Sequence, residues 1–533
     1  MTRPTVSRAE AWRPDALHRL AGGWDEAARR MAMQADAAAA EVDRAGAHWT
    51  GAAADAAGVR GRRLVTAADS TARGLVLAAV AARDGADQIA AAQAVVLARV
   101  ADAHGGGFVV ADDGTVSPQA EPGSLLVALS GGDAAVADDL ITAQAHRLTA
   151  QITDALDRLG VADADAAADI DDAFASTSGP VPAATVPAGA GPGAASVADW
   201  PAMSQDRISA QIATLTPVQR RQLIAEHPHQ VGNTDGVPWD MRTSANRINI
   251  AQGIVDDLGD PAAEGRIDFY RGLLGEIDDP ARDSRRVDRQ ILAFDPARSS
   301  LVELNGDLSA ASSVAVLVPG LNTTIEGSAA NTATARRFVG ASRGEVATIT
   351  YLGGPFPRGT SIGGMLDAAD PRYALQMAPR LVAFSEDVDR TVDGTGRRIP
   401  VTVIGHSYGG SIVGTAEALG LTADRTLYVA AAGAGVGVDE PAEWHNRNPD
   451  VLRYSMTPPG DLIEAVQGVP GGPHGADPDE MPGVIRLNTG HYDDGGLVSG
   501  PRSHSDVMNR PSDAWRNILA VITGDSVTLH RAG

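Results

Sequence analysis

From about residue 290 onward, short apolar runs alternate with longer helical segments, and this alternation limits the fold more than any other feature of the chain. The runs are apolar throughout instead of on every second residue, which is typical of strands buried on both faces. Helices between such strands predict a mostly parallel sheet whose functional residues lie at the carboxyl ends of its strands. The predicted strands are 290–294, 301–304, 314–318, 346–351, 401–404, 426–430, 451–456 and 484–487. The first two are close enough along the chain to pair as a hairpin.

The first part of the chain has a different pattern. Ala, Leu and Val recur at three- and four-residue spacing over 6–104 and again over 132–172, which predicts long helices. Trp49-Thr50-Gly51 interrupts the first stretch, so we expect two helices joined there as a hairpin. We therefore predict an all-helical domain over 1–175, an Ala/Pro/Gly-rich linker over 176–198 and an α/β domain over 199–533.

Composition excludes several kinds of chemistry. All 44 basic residues counted as Lys or Arg are Arg, so a Schiff base, a Ser–Lys dyad and a phosphate-loop lysine are ruled out. The chain has no Cys, which rules out a thiol nucleophile, disulfides and Cys-ligated zinc. A net charge of −23 disfavours nucleic acids and anionic membranes as partners. We expect neither a metal nor a cofactor.

The pattern G-x-S-x-G occurs three times, around Ser342, Ser361 and Ser407. Ser342 lies between a predicted helix and the strand after it, and Ser361 follows a Pro-rich loop. Ser407, in Gly405-His406-Ser407-Tyr408-Gly409, directly follows an apolar strand and directly precedes a helix. A sharp strand-to-helix turn exposes a serine hydroxyl at the top of a sheet, so Ser407 is the predicted nucleophile. The alternative is a structural serine in a Gly-rich turn.

A serine nucleophile needs a base and an acid that orients the base, in the chain order Ser, acid, His for this type of sheet. Asp461 follows the predicted strand 451–456 and is the expected acid. Glu464 is the alternative acid, and an ordinary helix N-cap is the alternative role for Asp461.

The base should come after the last strand. His504 lies shortly before the last predicted helix and is our choice, while His491, directly after the strand 484–487, is the runner-up. His474 precedes that strand and comes too early in the chain.

An oxyanion hole needs backbone N–H donors. The first should be the amide of Tyr408, the residue after the nucleophile. The second should come from the loop after strand 314–318, where Gly320 permits an unusual backbone angle and the Leu321 or Asn322 amide can point at the site. The Asn322 side chain is a further candidate donor, and a plain turn is the alternative.

Five separated motifs stand out over about 200–524. They are Gly232-Asn233-Thr234-Asp235-Gly236-Val237-Pro238, Val318-Pro319-Gly320-Leu321-Asn322-Thr323, the turn from Gly405 to Gly410, Tyr454-Ser455-Met456-Thr457-Pro458-Pro459-Gly460-Asp461 and His504-Ser505-Asp506. Together these motifs resemble an actinobacterial α/β-hydrolase family of unknown function. This resemblance implies Ser407, Asp461 and His504 as a catalytic triad, in agreement with the choice made from chain order, but it implies no particular substrate.

Trp49-Thr50-Gly51 between two long helices is similar to the hairpin of WXG-type proteins, which are substrates and partners of type VII secretion. This resemblance implies that the helices pack against a protein partner or a second copy of the chain. The N-terminus has no apolar signal-peptide core, and the longest apolar run, 74–82, is too short to span a bilayer. We expect a cytoplasmic protein, or one exported without a cleaved signal by a type VII-like route.

These expectations amount to a serine esterase or lipase-like acyl hydrolase joined to a helical partner-binding or targeting domain. Two alternatives stay open. The same site can serve an acyltransferase or thioesterase, or the hydrolase domain can be inert in a protein whose role is interaction. The acyl and alcohol groups of the substrate are not predicted.

Overall fold

The computed structural model describes residues 3–177, 197–282, 285–359, 368–465, 467 and 472–530. The chain forms two compact units, Met1–Thr185 with Ala251–Gly275, and Val186–Ile250 with Glu276–Gly533. Residues 251–275 therefore group with the N-terminal helices, although they fall within the range 199–533 predicted for the α/β domain. Within the first unit Asp25 accepts hydrogen bonds from Arg83 (2.5 Å) and Arg271 (2.8 Å), which accounts for this grouping. Most of the predicted linker, 178–196, lies outside the described residues.

The first unit is built on the predicted helical hairpin. Its N-terminal elements are α1 (Val6–Ala11), α2 (Asp15–Gly46), α3 (Ala52–Gly105), β1 (Phe108–Val110), β2 (Val116–Pro118), α4 (Ser124–Leu129) and α5 (Ala134–Thr177). Helix α2 buries Ala21, Ala28 and Ala35, one small residue in every seven, so one narrow stripe of the helix faces its neighbour. By length and composition α3 could cross a membrane, but a core helix meets the same criterion, and α3 buries many of its residues within the unit.

The second unit contains the α/β part. Its helices, given together with α10 of the first unit and with α9, which continues into the first unit from Ala251, are α6 (Gln205–Ala213), α7 (Pro217–Glu226), α8 (Pro228–Asn233), α9 (Trp239–Asp257), α10 (Glu264–Leu274), α11 (Ala329–Ala341), α12 (Arg372–Asp393), α13 (Tyr408–Ala418), α14 (Ser503–Asn509) and α15 (Asp513–Thr523). Its strands are β3 (Glu276–Asp278), β4 (Arg286–Asp288), β5 (Gln290–Asp295), β6 (Ser300–Asn305), β7 (Ser313–Val318), β8 (Val346–Gly353), β9 (Val401–His406), β10 (Arg425–Val429), β11 (Leu452–Met456) and β12 (Ile485–Arg486). The short pair β3–β4 was not predicted, because three-residue strands carry too little pattern to recognise.

One eight-stranded sheet has the order β12-β11-β10-β9-β7-β8-β6-β5. Strands β7 to β12 are mutually parallel, and β5–β6 is an antiparallel hairpin at one edge. This confirms the predicted, mostly parallel sheet and the predicted hairpin. After β8 the chain crosses back over β7 to place β9 on its other side. The loops after β7 and β9 therefore diverge at a topological switch point, where sheets of this kind carry their sites.

Helices cover both faces of this sheet, which explains why its strands are apolar throughout. On one face the strands pack against α11, α14 and α15, with Phe338 stacked on Trp515 at a ring distance of 5.0 Å. On the other face α12 and α13 pack together over β7 to β10. Burial on both sides leaves the loops at the carboxyl edge as the place where polar groups can gather.

The Gly232–Pro238 motif is held by a buried charge. Asp387 of α12 accepts hydrogen bonds from the Gly236 amide, the Trp239 indole and the Arg242 guanidinium, each at 2.8 Å. Arg242 also donates from Nε to the carbonyl of Leu292 in β5 (2.8 Å). One ion pair, with both side chains 2% exposed, thus joins α9, α12 and the edge of the sheet.

Candidate active site

Ser407 lies between β9 and α13, in a backbone conformation that L residues rarely adopt. Its φ and ψ are 57° and −124°, and its amide donates to the carbonyl of Val429 in the neighbouring strand (3.1 Å). A positive φ at a non-glycine residue carries strain, and strain at a strand-to-helix turn is how a serine is presented at the edge of a sheet. Ser407 is 8% exposed and sits at the switch point of the sheet.

The glycines around Ser407 are required by close backbone packing. A Cβ on Gly405 would lie 2.6 Å from the carbonyl oxygen of Gly409, and one on Gly409 would lie 2.1 Å from that of Val318. A Cβ on Gly410 would lie 2.2 Å from the Cβ of Ala431. Real Cβ atoms do not approach other atoms so closely. The glycines at these positions therefore allow the turn around Ser407 to pack against the ends of β7 and β10.

The other two G-x-S-x-G serines have different surroundings. Ser342 ends α11, donates to the carbonyl of Val339 (3.0 Å) and accepts the Val346 amide (3.1 Å), so it is a turn residue between a helix and β8. Ser361 lies outside the described residues.

Asp461 and His504 are in direct contact. His504 Nδ1 donates to both carboxylate oxygens of Asp461, at 3.0 and 2.9 Å, and the Asp461 side chain is 1% exposed. Asp461 also accepts a hydrogen bond from the Ile463 amide (3.0 Å). The helix-capping role that we gave as the alternative for Asp461 is therefore performed by the same side chain that contacts His504. Glu464 is exposed and accepts the Gly460 amide at 3.1 Å, on the same turn.

His491 and His474, the other two histidines considered as the base, lie in different environments from His504. His491 is exposed, and its amide donates to Asp513 (2.8 Å). His474 is buried, donates from Nε2 to the carbonyl of Ala368 (2.8 Å) and therefore accepts the Ser411 hydroxyl at Nδ1 (2.9 Å). Burial lowers the pKa of His474, which agrees with a neutral, structural ring.

His406, the residue before Ser407, was not selected from the sequence. Its Nε2 donates to the backbone carbonyl of His504 (2.7 Å), and the two rings are 5.0 Å apart. Burial and the neighbouring His504 lower the pKa of His406 to about 4, so its ring is neutral near pH 7. Within the described residues Ser407 Oγ makes no hydrogen bond to His504, a contact that commonly closes only when substrate binds. No sequence signal marks a histidine as the donor to a particular carbonyl.

The loop after β7 passes directly beside Ser407. A Cβ on Gly320 would lie 2.7 Å from the Cβ and 3.0 Å from the Oγ of Ser407. We expected Gly320 to supply an unusual backbone angle, but the positive φ, 64°, belongs to Asn322. Gly320 is required because only a residue without a side chain can come so close to Ser407.

The predicted oxyanion donors differ in whether they already donate a hydrogen bond within the protein. The Asn322 amide donates to the carbonyl of Pro357 (2.9 Å), and its side chain pairs with Gly359, so Asn322 is committed elsewhere. The Leu321 amide has no acceptor within the described part of the chain. The Tyr408 amide opens the first turn of α13, where helical amides lack partners. Both donors of Asn322 are thus engaged by the loop after β8, whereas the amides of Leu321 and Tyr408 have no acceptor among the described residues.

The Tyr408 side chain points away from this role. Its hydroxyl donates to the carbonyl of Asp370 (2.5 Å) and accepts the Ala374 amide (3.3 Å), at the start of α12. Burial raises the pKa of Tyr408, so the phenol stays neutral. Among the described residues no group of three or more His, Asp or Glu side chains is arranged to hold a metal ion.

The family model that matches this chain covers part of the second unit. A family model described as alpha/beta hydrolase matches residues 295–470, which include Ser407 and Asp461 but end before His504. Two proteins from different strains of Mycobacterium tuberculosis, described as Uncharacterized protein MT2140 and Uncharacterized protein Rv2079, are each 27% identical over 382 residues. The match covers 60% of this chain and 56% of each relative, so the chain spans about half the length of these relatives.

Among solved structures, the crystal structure of TT1662 from Thermus thermophilus is 15% identical over 44% of this chain and 99% of that chain. Its TM-score of 0.22 is too low to support any argument. The family match and the sheet together show an α/β-hydrolase domain in the C-terminal region, preceded by a helical region. The predicted fold class is confirmed. The resemblance of the N-terminal hairpin to WXG-type proteins stays a resemblance.

Proposed function

We propose that the α/β-hydrolase domain is a serine hydrolase that cleaves carboxylic esters with Ser407, His504 and Asp461 as its triad. The observation that carries this proposal is the pair of hydrogen bonds between Asp461 and His504 Nδ1, next to the strained Ser407 turn. A buried carboxylate on Nδ1 holds the imidazole in the tautomer whose Nε2 can accept a proton.

In the proposed reaction Ser407 Oγ attacks the ester carbonyl carbon while His504 Nε2 takes the hydroxyl proton. The tetrahedral oxyanion accepts hydrogen bonds from the Leu321 and Tyr408 amides, and Asp461 stabilises the imidazolium. Collapse of this intermediate breaks the C–O bond, and His504 protonates the leaving alcohol. Water, deprotonated by His504, then attacks the acyl-enzyme. The bond between the acyl carbon and Ser407 Oγ breaks while His504 returns its proton to Oγ, which releases the carboxylic acid and restores the serine.

The deciding experiment is labelling of the full chain with a fluorophosphonate probe, which reacts with activated serines. We expect labelling of the wild type and none of Ser407→Ala. Ser342→Ala, a change in a second G-x-S-x-G pattern, is the matched control and should keep full labelling. Labelling of neither wild type nor variant would favour an inert domain in an interaction protein, and labelling of both would mean that another serine reacts.

Water is the acceptor in this proposal, whereas an acyltransferase would favour an alcohol and a thioesterase would favour thioester substrates. Hydrolysis of matched oxygen esters and thioesters, with and without added alcohol, separates the three. Transfer to alcohol that outruns hydrolysis at low alcohol concentration would replace the esterase proposal with the transferase.

We further propose that the helical unit binds a protein partner or a second copy of the chain. Residues 36–71, the distal part of the α2–α3 hairpin, include no buried residue, while Trp49 and Leu64 are 50% and 60% exposed. Light scattering of the full chain, compared with Leu64→Glu, tests self-association. A mass that is monomeric in both proteins would leave only a different protein as the partner.

A further inference from the structure

Asn322 joins the loop after β7 to the loop after β8. Its amide donates to the carbonyl of Pro357 (2.9 Å), its Oδ1 accepts the Gly359 amide (2.7 Å), and its Nδ2 donates to the Gly359 carbonyl (3.4 Å). One residue thus makes three hydrogen bonds to a neighbouring loop, as two paired strands would.

The backbone of Asn322 explains why an asparagine is suited to this position. A φ of 64° places it in the left-handed region, which costs most L residues roughly 1–2 kcal/mol and which Asn tolerates better than most. Glycine would accept the same angle more easily but has no side chain to pair with Gly359. Asn both tolerates this backbone angle and supplies the two side-chain hydrogen bonds to Gly359, which we call the clamp.

The turn at Asn322 determines the direction of the peptide before it, which carries the Leu321 carbonyl, and it limits where the Leu321 amide can point. On the other side of Leu321, Gly320 runs within contact of Ser407, and the Thr323 hydroxyl donates to the Gly320 carbonyl (2.8 Å). The short segment that carries the Leu321 amide is therefore held from both ends, by Thr323 within the loop and by Asn322 from the loop after β8.

We propose that Asn322 is a positioning residue whose side chain holds the Leu321 amide in the oxyanion hole through its clamp on Gly359. This inference rests on the proposed function, and it assigns Asn322 a role that acts through Leu321 instead of through the substrate. Oxyanion donors accelerate a reaction only when they are already aimed at the developing charge. A loosened clamp should therefore lower kcat and leave KM nearly unchanged, because the ground-state ester gains little from this donor.

The exposure of Asn322 makes the proposal testable without unfolding the protein. Asn322→Gly keeps the positive φ and the amide bond to Pro357 but removes the side-chain pair. Asn322→Asp keeps an acceptor for the Gly359 amide and loses the donor to its carbonyl. Thr324→Ala is the matched control, since among the described residues the Thr324 hydroxyl bonds within its own loop, to the Gly327 amide (2.9 Å).

Hydrolysis of p-nitrophenyl butyrate, the rate of fluorophosphonate labelling and the thermal midpoint are measured for each full-length variant. We expect Asn322→Gly to lower kcat about 10- to 100-fold, below the 10²–10³-fold typical of losing a donor outright, with KM within about threefold. Asn322→Asp should lie between this variant and the wild type. Thr324→Ala should match the wild type, and all midpoints should agree within a few degrees.

Unchanged kcat in Asn322→Gly would overturn the clamp. A raised KM with constant kcat would make Asn322 a substrate contact, and a lowered thermal midpoint that accompanies the loss of kcat would make its role structural. Either result also overturns the proposal. Labelling of wild type but not of Ser407→Ala shows that the proposed function holds independently of these variants. If wild type is not labelled, the proposed function fails and the inference fails with it.

Discussion

The Nε2 atom of His406 donates a hydrogen bond of 2.7 Å to the backbone carbonyl of His504, so the residue before the proposed nucleophile holds the backbone of the proposed base. Ser407 and His504 are 97 residues apart in the sequence numbering, and this bond is a direct link between their two loops. A second link runs from the Gly500 amide to the carbonyl of Pro459 (2.8 Å), one residue before the Gly460–Asp461 turn. The three proposed catalytic residues thus share a hydrogen-bonded backbone frame.

The first prediction concerns the proposed acid. Asp461→Asn should lower kcat by about 10⁴-fold, because an amide at this place favours the wrong imidazole tautomer. Ester hydrolysis under saturating substrate gives kcat, and circular dichroism checks the fold. Glu464→Gln, on the same turn, is the control and should keep at least half of the wild-type kcat. Equal losses in both variants would argue against Asp461 as the specific partner of His504.

The choice between two histidines can be tested directly. His504→Ala should abolish fluorophosphonate labelling within the detection limit, since Ser407 then lacks a base. His491→Ala should label as fast as the wild type, because the His491 side chain is 57% exposed and its Nδ1 lies 3.9 Å from Asp513. The opposite pattern would transfer the role of base to His491.

The tight packing of the turn around Ser407 predicts that a side chain on Gly409 strongly lowers the stability of the fold. Gly409→Ala places a Cβ 2.1 Å from the Val318 carbonyl oxygen, so the free energy of unfolding of the second unit should fall by about 3 kcal/mol or more. Gly22→Ala, in α2 with no atom within 4 Å of the added Cβ, should instead stabilise its helix by roughly 0.5–1 kcal/mol. Denaturant unfolding measures both changes, and a neutral Gly409→Ala would contradict the described packing.

His406 predicts a loss of stability in acid. Its pKa in the folded protein is about 4, below the ordinary value of 6.5, so the unfolded state takes up a proton first as the pH falls. The stabilisation is complete above pH 6.5 and declines by about 3 kcal/mol as the pH falls to about 4. His406→Gln keeps a donor for the His504 carbonyl but does not titrate, so its unfolding free energy should decline less over this range. Parallel curves for both proteins would contradict the assignment.

The buried pair Asp387–Arg242 should contribute more to the free energy of unfolding than the exposed pair Arg390–Asp206, which also involves α12. Asp387→Ala leaves the buried Arg242 with Asp235 (2.9 Å) as its remaining carboxylate partner and removes the acceptor of the Gly236 amide and the Trp239 indole. Together these losses should cost about 3–5 kcal/mol of unfolding free energy. Asp206→Ala breaks the ion pair between Asp206 and Arg390. Because the Asp206 side chain is 85% exposed, this loss should cost less than about 1 kcal/mol. Similar costs in the two variants would show that the network contributes no more than a surface contact.

The amino-acid sequence alone determined the order of the sheet's main elements and the choice of Ser407 as the predicted nucleophile. Continuous apolar runs between helical segments are sufficient to predict a parallel sheet, because strands buried on both faces have no polar side. Ser407 stood out from Ser342 because strand-then-helix order is a local property of the chain. Chain order then selected Asp461 and His504, the two residues that the structure brings within hydrogen-bond distance.

The tertiary structure decided the features that depend on residues far apart in sequence. Gly320 is constrained by its approach to Ser407, 87 residues later, and not by its own backbone angle. Asn322 is committed to Pro357 and Gly359, which lie on another loop, and His406 donates to His504. Pattern and propensity describe the neighbours of a residue along the chain. Which donor is free and which is engaged depends on the loops that packing brings to one edge of the sheet, and only the folded arrangement contains that information.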